Sequence, residues 1–62
     1  MEVELLKLIG RNFIVVYYDG EKAMRITGRV IGFTNHFLEI HTDGREKFVQ
    51  LGQIIRMEEV RQ

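Results

Sequence analysis

Apolar residues along this chain first recur with helical spacing and then with the spacing of strands. Leu5, Leu8 and Ile9 form one stripe with Val3 and Leu6 beside it, while Glu2, Glu4 and Lys7 fall largely on the other side. That spacing predicts a short helix over Glu2–Ile9, stopped at Gly10. Two helical turns are not stable alone, so the apolar stripe is expected to lie over an open end or edge of the remaining fold.

After Gly10 the chain reads as five strands, Asn12–Tyr18, Ala23–Phe33, Phe37–Thr42, Lys47–Leu51 and Ile54–Met57. The first, with Phe13-Ile14-Val15-Val16-Tyr17-Tyr18, is β-branched and aromatic without polar alternation, which predicts burial on both faces. Tyr17 and Tyr18 cannot both face a core, so one hydroxyl must reach a partner, the helix or water. In the second, Met24, Ile26 and Val30 should point inward and Arg25, Thr27 and Arg29 outward. Gly28 and Gly32 sit where a strongly bent strand needs no side chain. Leu38 and Ile40 should be inward in the third strand, with Glu39 and His41 outward. Asp19-Gly20 and Asp43-Gly44 are hairpin signals, and Gly52-Gln53 has room only for a tight turn. The expected fold is mainly β: a short N-terminal helix and a strongly bent five-stranded antiparallel barrel, in one domain over residues 1–62.

Length narrows this further. At 62 residues the chain sits near the lower limit for a core that folds unaided. It has no cysteine, so neither a disulfide framework nor a cysteine zinc cluster can staple it. Apolar residues make up 45% of the chain, more than so small a barrel covers, and self-association is expected. Nine basic and nine acidic residues balance, which argues against a broad phosphate-binding surface. The N-terminus lacks the pattern of a signal peptide and no segment is long enough to span a bilayer, so a soluble cytoplasmic protein with no membrane partner is expected.

The helix Leu5-Leu6-Lys7-Leu8-Ile9, then Tyr18-Asp19-Gly20, Thr27-Gly28-Arg29-Val30 and Gly32-Phe33-Thr34-Asn35-His36-Phe37, together resemble the Sm-like (LSm/Hfq-like) family of small SH3-like barrels over nearly the whole chain. The closing segment Phe48–Met57 is also similar to Rof-type barrels, which bind and inhibit a transcription terminator. The positions matching the family's RNA pore fall on Gln50-Leu51-Gly52, which keeps only the glycine of the Arg-Gly pair found there in Sm proteins. The Sm-like resemblance implies a homo-oligomeric ring in which the strand Phe48–Leu51 of one subunit pairs with Ile54–Met57 of the next, with Phe48, Val49, Leu51, Ile54, Ile55 and Met57 at the interface.

It also implies single-stranded RNA as partner, held by Asn35 and His36 at the positions of the family's base-contacting pair, with Arg25, Arg29 and Arg56 as accessory phosphate contacts. An amide can read a base edge and an imidazole can stack on a base. The competing explanation is that Asn35 accepts a positive φ in a turn and His36 is simply exposed. Arg25 and Arg29 share one strand face, where Glu39 on the next strand can instead pair with one of them. The alternative function is a regulatory barrel, monomeric or dimeric, that engages a protein partner and no nucleic acid. With no Ser, no Cys and no closely spaced carboxylate pair to bury, the chain is expected not to be an enzyme. Glu39, His41 and His36 supply too few ligands on one face for zinc, so neither a metal nor another cofactor is expected.

Overall fold

A computed structural model describes residues 5–61. Five strands, β1 (Asn12–Tyr18), β2 (Ala23–Phe33), β3 (Phe37–Thr42), β4 (Arg45–Gln50) and β5 (Ile54–Glu59), form one antiparallel sheet in the order β4-β3-β2-β1-β5. The expected closure into a barrel is absent, because β4 and β5 do not pair and stand as the two free edges. One turn of 3-10 helix, Leu51–Gln53, joins them at the expected tight turn.

Of the expected helix Glu2–Ile9, the described residues Leu5 and Leu6 are helical. Residues 2–4 of that segment lie outside the described residues, and residues 7–10 form tight turns. The amides of Leu8, Ile9 and Arg11 donate three residues back, to Leu5, Leu6 and Leu8 at 3.0, 3.3 and 3.1 Å. Leu8 packs against the core, whereas Leu6 and Ile9 are exposed.

The observed bounds of β1, β2 and β3 are those read from the sequence, but β4 starts earlier and stops at Gln50, leaving Leu51 to the 3-10 turn, and β5 ends later. Phe13, Val15, Tyr17, Val30, Leu38, Ile40 and Val49 make the core, all on one face of the sheet. Four of these are fully buried although the described residues form a single sheet, so the sheet must coil around its own inner face. Burial in β1 is one-sided: Phe13, Val15 and Tyr17 are buried, Ile14 and Val16 are half-buried, and Tyr18 turns out to donate its hydroxyl to the Gly20 carbonyl at 3.1 Å.

Three places bend the sheet. At Gly28 a Cβ would meet the His41 carbonyl and the Ile40 side chain at 2.5 Å each, so β2 and β3 approach as only glycine permits. Ile31 is an extra residue between Val30 and Gly32 opposite β3, and Ile55 is one between Ile54 and Arg56 opposite β1. Such bulges sharpen twist and push a side chain out of register. Ile55 is accordingly 57% exposed.

Candidate functional site

Asn35 and His36 lie at the tip between β2 and β3, both exposed. The Thr34 hydroxyl accepts the amides of His36 at 3.2 Å and Phe37 at 3.1 Å, and the Thr34 amide donates to the Phe37 carbonyl at 2.8 Å. The His36 carbonyl accepts the Leu51 amide at 2.8 Å, which ties the tip to the 3-10 turn. Among the described residues Asp43 is the one non-glycine with positive φ, so Asn35 is not needed to relieve the backbone of its turn. Both side chains are free to meet a ligand.

The arginines are arranged by the ladders around β1. Val16 lies opposite Arg25 on one side and Arg56 on the other, so two arginines flank one half-buried valine position on the outer face. With strands about 4.8 Å apart, the two backbones are separated by roughly 10 Å. Arg29 lies farther along the same face, between Asn12 and His41. Glu39 does not pair with these arginines. It stands opposite Gly32 and Phe48, and the ion pair found among the described residues is Arg11 with Glu59, at 3.6 Å. Asn35 and His36 are at the far end of β2 from Arg25, so the fold divides the expected RNA contacts into a tip and an outer-face group.

The residues expected at the oligomer interface fall into two classes. Val49 is 2% exposed and belongs to the chain's own core, while Leu51, Ile54 and Met57 pack partly against it. Phe48 and Ile55, on the two free edges, are each 57% exposed. The Phe48 ring meets Phe37 edge to face at 6.4 Å, which leaves an aromatic pair on the outer side of β3 and β4.

Sequence reasoning missed a second basic cluster. Arg45 and Lys47 on β4 join Arg25, Thr27, Thr42 and Asp43 around a groove of about 460 Å³. The bend that unites them at Gly28 links residues distant in the chain, and no local spacing signals it. No group of three or more His, Cys, Asp or Glu side chains that could hold a metal ion occurs among the described residues. Nor is any helix there long and apolar enough to cross a membrane. Comparison of the chain with known protein families, with curated proteins and with solved structures finds no match.

Proposed function

We propose that this chain is an Sm-like module that assembles edge to edge into a homo-oligomeric ring and binds single-stranded RNA. The supporting observation is that one sheet ends in two unpaired six-residue edges, β4 and β5, each carrying an exposed large apolar side chain, Phe48 and Ile55. Pairing β4 of one copy with β5 of the next satisfies both rows of backbone groups and covers both side chains. This contact is head-to-tail, and it closes into a ring when its rotation divides a full turn. On this reading the barrel is completed between subunits rather than within one.

RNA is held at the braced tip, where the amide of Asn35 reads a base edge and the imidazole of His36 stacks, while Arg25, Arg29 and Arg56 contact phosphates on the outer face. Zero net charge favours the alternative of a protein-binding module. The unconstrained Asn35 favours RNA, as do three arginines with no ion pair among the described residues. Fluorescence anisotropy with a labelled single-stranded oligonucleotide decides between them. Asn35→Ala with His36→Ala should weaken binding about tenfold, since a stacked base is worth roughly 1–3 kcal/mol, with native mass unchanged. Undiminished binding by that double variant would overturn the tip as the RNA site.

A further inference from the structure

The groove beside Gly28 joins Arg25 of the outer-face group to Arg45 and Lys47 of β4. β3 pairs with β2 only over Arg29–Phe33, and the first half of β2 pairs only with β1. The β3–β4 hairpin runs on past this point to its turn at Asp43-Gly44, where φ is 53° and 77°. Positive φ at both positions is the tight hairpin geometry that suits strand twist, and it holds Thr42 and Arg45 opposite one another. Between the hairpin and the first half of β2 lies the groove. The Thr42 hydroxyl donates to the Thr27 carbonyl at 2.7 Å across its end.

Backbone direction adds a donor. The Val30 amide donates to Arg11 at 2.9 Å and its carbonyl accepts from Gly10 at 2.7 Å, so Val30 turns toward the β1 side. Antiparallel strands alternate, so Arg29, Thr27 and Arg25 present their backbone groups to the opposite side. Arg29 uses that side for β3 and Thr27 for the Thr42 hydroxyl. By this alternation the Arg25 amide and carbonyl face the side where β3 no longer pairs with β2. Three cations, Arg25, Arg45 and Lys47, line it with one carboxylate, Asp43, and none of them is in an ion pair among the described residues. Lys47 is carried over the Tyr17 ring, its Nζ 5.9 Å from the centroid, which steadies the ammonium at the groove wall.

We infer that this groove is a phosphate-binding site, formed by the Arg25 amide and guanidinium with Arg45 and Lys47. Two guanidiniums, an ammonium and a backbone amide along one groove are all donors, and that set matches the several oxygens of a phosphate or phosphodiester. An added peptide strand fits less well, because alternation turns backbone groups of the first half of β2 to the groove only at every second residue and Ile26 alone supplies apolar lining. No exposed aromatic lines the groove, so it recognises phosphate without regard to base. The site stands apart from the RNA tip and does not depend on it.

The test is a titration of isotope-labelled protein with pyrophosphate at low salt, followed by amide NMR shifts, beside anisotropy with an oligouridine and with a polyglutamate peptide. Pyrophosphate should move the amides of Arg25, Thr27 and Arg45, and Arg45→Ala with Lys47→Ala, both at exposed positions, should abolish those shifts. In oligouridine binding the same pair of changes should lower the salt slope by about 1 for each phosphate no longer held. Groove shifts without oligouridine binding keep the site, with free phosphate as its source, and remove the RNA reading. Oligouridine binding that is insensitive to the pair but abolished by Asn35→Ala and His36→Ala overturns the groove and keeps the tip. Polyglutamate moving the groove amides more than pyrophosphate overturns the phosphate assignment.

Discussion

The Cα of Gly28 packs so closely against the His41 carbonyl that a β-carbon there would stand 2.5 Å from the oxygen. The obstacle is backbone, which cannot swing aside as the end of a flexible side chain can. Gly28→Ala should therefore cost about 1–3 kcal/mol as the two strands are forced apart. A shift of the urea midpoint to lower concentration with the slope unchanged is the expected result. Because the same close approach brings the hairpin over the first half of β2, the variant should also weaken the phosphate groove.

Leu38 and Ile55 separate folding from assembly. Leu38 is fully buried between Val49 and Phe33 in register, so Leu38→Ala should cost about 2–5 kcal/mol, a large part of a small domain's stability. Ile55 is bulged out of the β1 ladder and exposed, so Ile55→Glu should leave the circular dichroism spectrum folded while breaking up any edge-paired assembly. Loss of folded signal in both variants would contradict this division.

The turn after β1 carries a pH dependence. The Asp19 carboxylate accepts the amides of Lys22 at 3.0 Å and Glu21 at 2.8 Å, and these bonds, Lys22's first, hold its pKa below the ordinary 3.8. A carboxylate with a depressed folded pKa adds stability that is present above its unfolded pKa and lost as pH falls through the folded one. The unfolding midpoint of the native chain should thus drop in acid, below about pH 5, and Asp19→Asn should flatten that drop. Chemical denaturation at a series of pH values measures both.

The chain announces its first three strands because β-branched and alternating residues, bounded by Asp-Gly or a Thr-Asn-His break, need only local rules to be read. Arg45 and Glu46 hid the start of β4, since an edge strand with one buried residue, Val49, can be polar elsewhere. The expected last strand stops at Met57, yet Glu58 and Glu59 pair with Ile14 and Phe13, and Glu59 meets Arg11. Leu5–Ile9 has helical spacing, and its described residues are helical at Leu5 and Leu6 and turn from Lys7 onward. Asn35, His36 and the outward arginines are candidates that strand alternation and resemblance single out, and the structure adds only that Asn35 and His36 are exposed at one tip. The flanking of Val16 by Arg25 and Arg56, and the meeting of Arg25 with Arg45 and Lys47, come from ladder register and the bend at Gly28, which no stretch of sequence displays alone.

Edge-to-edge assembly through β4 and β5 is the central claim, and light scattering on a size-exclusion column, with absorbance at protein and nucleic-acid wavelengths across the same peak, tests it most directly. A single discrete particle several times the 7.3 kDa mass of one chain, unchanged on dilution, is the expected result. A monomer at every concentration, with both edges left open to solvent, would contradict it.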